Sequence, residues 1–401
     1  MTIENYLELT RPIIAECSNS SFKNYFNSMT EHDDLRLKKL IYTEIYSSTF
    51  QSEIVNLRQS RYFINDMSFF HFFWVSLFLS QRKEREIAQI IFDGFYLNTV
   101  CFKSLKYGDE LVSNFFYYCC NFKRYDLLES YREEFNLYPH LKTIEIFYFN
   151  NLMYHEIGHI YSEVDRKKYI DDMVDYLIDD FLILITEEKN HNIDKKQVNK
   201  FLEIKITLAQ TKKELIIKYA QSVSFKNEIY ADFNALFFML IGLKNHNFFG
   251  NKEETIALIK IFFLLQTDFI NHLEIIDTAL NDLTSTDLVR DGFPYSPENL
   301  IRTSIKNEGI PLLCNLLEID LDFELTNQYI NQYSFLLENL ETMFFNAHSL
   351  RFPKNKKFES KLTELYQLKP LGMINEDLKK NFQDMSNKVN KFWQEMQFSM
   401  I

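Results

Sequence analysis

In Tyr154-His155-Glu156-Ile157-Gly158-His159-Ile160, two histidines stand four residues apart, with a glutamate directly after the first. On a helix, positions i and i+4 lie one above the other on the same face. His155 and His159 therefore present two imidazoles to one point, an arrangement that zinc accepts readily. Glu156 is rotated by one residue, so it reaches past the metal toward water, where the general base of metal-assisted hydrolysis stands. Phe147, Met153, Ile157, Ile160 and Val164 are apolar at roughly helical spacing, which suits a buried helix. Gly158 costs such a helix about 1 kcal/mol relative to Ala. In a chain with only 8 glycines among 401 residues, its presence implies close approach by another backbone or by a substrate.

A second stretch, Asn227-Glu228-Ile229-Tyr230-Ala231-Asp232, precedes Phe233, Ala235, Leu236 and Met239. Glu228 and Asp232 are again four apart, so both carboxylates share one helical face while an apolar stripe faces the core. A catalytic zinc takes three protein ligands and leaves one position for water, and two His with one Glu form a known set. Glu228 is thus the third ligand expected. Asp232, one turn on, is placed to accept the other ring N–H of a ligand histidine, fixing its tautomer and raising its basicity. The competing account is an amphipathic helix with an ordinary acidic outer face.

H-E-x-x-H followed at a distance by E-x-x-A-D resembles the gluzincin metallopeptidases, in which the distal Glu is the third zinc ligand. The resemblance implies zinc on His155, His159 and Glu228, Glu156 as general base, and Asp232 as the outer carboxylate. A further match lies in Tyr295-Ser296-Pro297-Glu298-Asn299-Leu300-Ile301-Arg302. Several gluzincin families carry His-Pro followed five residues later by an Arg that faces the active site. Pro297 and Arg302 fit that spacing, while Ser296 stands where the His would be. By this likeness Arg302 is the expected oxyanion-stabilising residue, with Tyr295 a substitute. His246 and His272 are further candidates for that role. The likeness extends over about residues 140–305. The chain resembles more loosely the soluble bacterial phage-exclusion (Lit-like) and ImmA-like proteases, and its lack of membrane spans sets it apart from the CAAX-processing branch.

Composition bounds the rest. Phe alone accounts for 39 residues, while Gly and Pro number 8 and 7, so breakers are scarce and long apolar-periodic runs point to a mainly helical chain. A net charge of −12 disfavours both a nucleic-acid partner, which calls for a basic face, and an anionic membrane surface. The 5 cysteines are odd in number and scattered (Cys17, Cys101, Cys119, Cys120, Cys314), which implies buried free thiols rather than a disulfide framework. Met1-Thr2-Ile3-Glu4-Asn5 has no basic or apolar leader character. The apolar run from Met67 to Ser80 is shorter than the roughly 20 residues of a membrane helix, so it is expected to be a core helix capped by Asp66 or Ser68. A cytoplasmic location follows.

Along the chain, residues 1–140 are expected to be a helical N-terminal region. Residues 141–305 are expected to form a zincin-like metallopeptidase core, with a helical insertion at about 166–222. Residues 306–401 complete the chain as a helical C-terminal region. Thr143 to Asn150 fits either a short strand beside the motif helix or an early start of that helix, and helix is the preferred reading. A very small β element is allowed in the core. In Lys168 to Glu187, Ile170, Met173, Val174, Leu177 and Phe181 form one face and Asp171, Asp172, Asp175, Asp179 and Asp180 the other, a solvated surface without EF-hand loop spacing. The basic stretch Arg351 to Lys357 is expected to be a solvated loop. The function expected is a soluble zinc endopeptidase acting on a protein or peptide substrate, under an activating trigger or partner. The alternatives are a non-catalytic, zinc-stabilised regulatory or interaction module and a plain helical interaction protein.

Overall fold

The structure is a computed structural model and describes residues 2–10, 13–16, 23, 26, 40–47, 49–58, 60–106, 139–164, 168–186, 217, 220–246, 251–284 and 297–349. In chain order the elements are helix α1 (Ile3–Thr10), strands β1 (Ile13–Glu16), β2 (Leu40–Ser47), β3 (Glu53–Leu57) and β4 (Ser60–Asp66), then helices α2 (Met67–Ser80), α3 (Arg85–Lys106), α4 (Pro139–Val164), α5 (Lys168–Thr186), α6 (Val223–His246), α7 (Lys252–Thr284), α8 (Pro297–Leu316), α9 (Phe323–Tyr333) and α10 (Phe335–Ser349). The protein is mainly helical, as its composition implies. The described residues fall into two compact units, one drawn from Met1–Lys142, Ile275–Gly292 and Phe335–Ile401, the other from Thr143–Glu274 and Phe293–Ser334.

The first unit corrects the expectation of an all-helical N-terminal region. Its four strands form one sheet in the order β1-β2-β4-β3, with β2 and β4 parallel and the outer pairings antiparallel. Ile, Tyr, Thr and Phe crowd Leu40–Ser47 and Ser60–Asp66, and such β-branched and aromatic residues fit a pleated, half-buried surface. Directly after β4, α2 is buried along all of Met67–Ser80. A helix apolar on every side belongs in a core, and α2 packs against β2, α3 and α10. Of the two caps considered, Asp66 is the one used, its carboxylate accepting the Ser68 N–H at 3.0 Å and the Ser47 N–H at 3.2 Å. Aromatic edges lock the neighbours together: the Phe344 ring meets Phe92 at 5.0 Å and Phe72 at 6.0 Å.

The second unit is helical throughout its described residues. Thr143 to Asn150 belongs to α4, so no strand flanks the motif helix there. α6 packs on α5 and α8, and α5 packs on α8. On α5, Ile170, Val174, Leu177 and Ile178 are buried while Asp172, Asp175, Asp179 and Asp180 are exposed, the expected solvated acidic face. That segment therefore packs directly on the helices of the motif unit. The remainder of the expected insertion, 187–216, and the basic stretch 351–357 lie outside the described residues. So do residues 247–250 and 285–296.

Two glycines set how closely these helices approach. A Cβ on Gly158 would lie 2.9 Å from the Ala231 Cα and 3.3 Å from its carbonyl oxygen, so α4 and α6 touch backbone to backbone. A Cβ on Gly309 of α8 would run into the Phe233 ring of α6. α7 lies along α8, with the Thr267 and Thr303 hydroxyls paired and Asn299 Nδ2 donating to Glu274 Oε1 at 3.0 Å. Among the described residues one stretch, Lys252–Asp277, is long and apolar enough to cross a membrane by length and composition, but 78% of its apolar window is buried by the protein itself. Cys314 is buried with a free thiol.

Candidate metal centre

Three helices converge on one point. α4 carries His155 and His159, α6 carries Glu228 and Asp232, and α8 carries Arg302. The Gly158–Ala231 contact brings α4 and α6 together between their functional pairs. One turn away the Asn234 amide, fully buried, donates to the Tyr154 carbonyl at 3.0 Å, and the Tyr154 ring stacks on Phe238 at 4.8 Å. These contacts fix the axial register of the two helices, which decides whether Glu228 meets the histidines.

It does. His155 Nε2 and His159 Nε2 lie 3.2 Å apart, and each is 3.5 Å from an oxygen of the Glu228 carboxylate. One donor atom from each of the three side chains falls within 4.8 Å of the others. Two nitrogens on a tetrahedral zinc, each at about 2.0–2.1 Å, stand about 3.3 Å apart, so the observed spacing fits that ion. The donor chemistry fits as well, with two imidazoles and one carboxylate leaving a fourth position open.

The other nitrogen of His155 also has a carboxylate beside it. Its Nδ1 lies 3.0 Å from Asp232 Oδ1, so Asp232 stands where the outer carboxylate was expected. Asp232 is buried, and a buried carboxylate is costly unless paired. Arg302 supplies the pairing with a two-pronged fork, Nε donating to Oδ2 at 2.8 Å and Nη2 to Oδ1 at 3.0 Å. Its Nη1 lies 3.1 Å from Glu228 Oε2, so the guanidinium spans both carboxylates. Lys306, one turn further along α8 and buried, places Nζ 3.8 Å from Asp232 Oδ1 and 4.5 Å from the centre of the Phe263 ring.

These contacts push the titrating groups apart, His155 upward and its neighbours downward. Burial alone raises the Asp232 carboxyl, but the charges of Arg302 and Lys306 and the bond to His155 outweigh it and hold Asp232 well below the usual carboxylate range. Burial opposes protonation of His155, yet its bonds to Asp232 and Glu228 carry it up to about 9. Burial and the neighbouring charge of His155 push His159 down to about 4. Burial brings Lys306 down to about 8 against the pull of Asp232.

The remaining expected residues divide. Glu156 is buried on α4 between the two histidines. Tyr295 and Ser296 lie outside the described residues, as does the His246 side chain. His272 is buried on α7, 3.6 Å from Asp268, and is not among the three side chains whose donor atoms converge. Two contributors were missed in the sequence. Lys306 follows Arg302 at i+4 on the same helix face, so the spacing rule that linked the other pairs was sufficient to find it. Asn234 carries no local signal, because its partner is a backbone carbonyl 80 residues away. Compared with known proteins, the chain matches no family model, no curated protein and no solved structure.

Proposed function

We propose that the protein is a zinc-dependent endopeptidase of gluzincin type, soluble and cytoplasmic, that hydrolyses a peptide bond in a protein or peptide substrate. The observation that carries this reading is the meeting of His155 Nε2, His159 Nε2 and Glu228 within 4.8 Å, with Asp232 on the far nitrogen of His155. His155, His159 and Glu228 would hold the ion, and zinc, when bound, supplies Lewis acidity toward an amide carbonyl and toward water. Asp232 orients His155 by accepting at Nδ1 and leaves Nε2 as the ligating atom. Glu156 is the general base, taking a proton from water and passing it to the departing amine nitrogen. Arg302, fixed by two carboxylates, brings positive charge to the edge of the centre where oxyanion charge develops, and Tyr295 is the second candidate for that task. The helical mass around the centre is larger than the chemistry requires. It is suited to selecting one protein substrate and to holding the site in check until an activating partner arrives.

A second reading, a non-catalytic zinc-stabilised scaffold acting as a regulatory or interaction module, draws on the engagement of Arg302 by Asp232 and Glu228. One experiment separates the two. Zinc content is measured on wild type and Glu156→Gln, and both are incubated with a proteome extract whose new amino termini are then labelled and sequenced. The peptidase reading expects about one zinc per chain in both proteins, and new termini with wild type alone, because an amide cannot accept the proton of water. Zinc-loaded wild type that yields the same termini as Glu156→Gln would leave only the scaffold.

A further inference from the structure

The cationic face of α8 does more than neutralise charge. α4, α6 and α8 each offer two functional side chains at i and i+4: His155 and His159, Glu228 and Asp232, Arg302 and Lys306. We propose that Lys306 is a positioning residue of the zinc centre, which with Arg302 clamps the Asp232 carboxylate so that Oδ1 stays on His155 Nδ1 and His155 Nε2 is left for the metal. This inference rests on the zinc reading above.

The geometry assigns each oxygen of Asp232 its own restraint. Oδ2 is held by Arg302 Nε at 2.8 Å. Oδ1 is approached by His155 Nδ1 and Arg302 Nη2, each at 3.0 Å, and by Lys306 Nζ at 3.8 Å. Two groups one turn apart on α8 thus grip the carboxylate from the side of α8, and Lys306 shares the oxygen that orients the ligand histidine. Lysine is almost never buried without a partner. The Lys306 side chain is 7% exposed, and Asp232, which is 2% exposed, is the acid it meets. Its ammonium also rests on the Phe263 face, 4.5 Å from the ring centre, which supports the side chain where it meets Asp232. A carboxylate that loses this hold is free to turn about its own axis, and Oδ1 then no longer stays 3.0 Å from His155 Nδ1 to orient the imidazole. Partners of this outer kind typically change metal affinity 10- to 100-fold, and the longer Lys306 contact belongs at the lower end, about tenfold.

A residue that only fills space above Phe263 predicts something different, so the substitutions are chosen to separate charge from shape. Lys306→Met keeps an unbranched stem over Phe263 and removes the ammonium, while Lys306→Arg keeps the charge. Zinc dissociation constants are measured by chelator competition for wild type, both variants, Asp232→Asn and the double variant Asp232→Asn/Lys306→Met, with thermal melts of each metal-free protein. Lys306→Met is expected to weaken zinc about tenfold and Lys306→Arg by no more than about threefold. The double variant is expected to bind no more weakly than Asp232→Asn, because Lys306 acts through Asp232 and the two changes are not additive. Should Lys306→Met fail to melt cooperatively, Lys306→Gln takes its place under the same two comparisons. Native zinc affinity in the folded Lys306 variant, or full additivity with Asp232→Asn, overturns the role of Lys306. Wild type that takes up no zinc overturns the zinc reading itself, and the two failures are told apart by the wild-type measurement.

Discussion

Gly158→Ala tests whether the contact between α4 and α6 is what builds the centre. Its new methyl would sit 2.9 Å from the Ala231 Cα, 3.2 Å from its Cβ and 3.3 Å from its carbonyl oxygen. Carbon pairs settle at about 3.5–4.0 Å, so the helices must part by roughly 0.5 Å or more at this crossing. No rotamer change relieves the clash, because two of the three atoms met are backbone. In stability the effects nearly offset each other. Alanine favours the helix by about 1 kcal/mol over glycine, while overpacking costs about 1–3 kcal/mol. The net change is about 0–2 kcal/mol of destabilisation, a few degrees in melting temperature at most. Metal binding is far less forgiving. Glu228 lies one turn before Ala231 on α6, and ligand distances are specified to about 0.2 Å, so a displacement of roughly 0.5 Å takes the carboxylate out of range of the histidines. Zinc affinity measured by chelator competition is therefore expected to fall at least about tenfold, with helical circular dichroism unchanged. A Gly158→Ala protein that gains stability and binds zinc as wild type does would refute the close-approach argument.

The other predictions concern the acids of α6 and a buried histidine elsewhere. Glu228→Ala removes a ligand and is expected to abolish tight zinc binding, whereas Asp232→Ala removes an outer partner and is expected to lose about 10- to 100-fold in affinity while still binding at saturating zinc; equal, near-native constants for the two would show that α6 does not complete the site. His71 of α2 is pushed by burial from 6.5 to about 3, and neither ring nitrogen has a hydrogen-bond partner among the described residues. Its folded pKa lies below its unfolded one, so the stability it permits is present above about pH 6.5 and is lost as the pH falls toward 3. The loss runs at about 1.4 kcal/mol per unit, or about 2 kcal/mol by pH 5. Denaturant melts at pH 7 and pH 5 should therefore show a smaller drop for His71→Leu than for wild type, and identical drops would count against the assignment.

What was legible in the sequence was whatever one helix carries within itself. The spacing of His155 and His159, and of Glu228 and Asp232, fixes which face each side chain shares before any tertiary contact exists. The Met67 to Ser80 run has no breaker and no polar stripe, and Asp66 ahead of it is a strong cap. The sheet was missed for a physical reason. β1 has four residues and β3 five, too short for alternation to outweigh the low Gly and Pro content that favoured helix, and although β3 meets β4 in a tight hairpin, the pairing of β1 with β2 and of β2 with β4 is non-local. Arg302 was reached through resemblance, but not its destination. Its fork closes on Asp232 across 70 residues, and no local period encodes that contact.

The strongest discrimination between a metal centre and an ordinary amphipathic helix comes from comparing α5 with α6. Both carry carboxylates at i and i+4, Asp175 and Asp179 on one, Glu228 and Asp232 on the other. Like charges at that spacing repel, and on α5 the repulsion is relieved by solvent at the exposed aspartates and by the Lys226 ammonium beside Asp175. α6 gives up that relief, since Asp232 is buried and Glu228 is only partly exposed. The burial is tolerable because α6 lies between two helices that answer its charges, histidines from α4 on one side and the Arg302 and Lys306 cations of α8 on the other. Apolar residues at those positions of all three helices would have packed at lower cost. A fold that nonetheless gathers imidazoles, carboxylates and cations at one point, with two ring nitrogens 3.2 Å apart beside the Glu228 carboxylate, supports the proposed metal centre over an ordinary amphipathic helix.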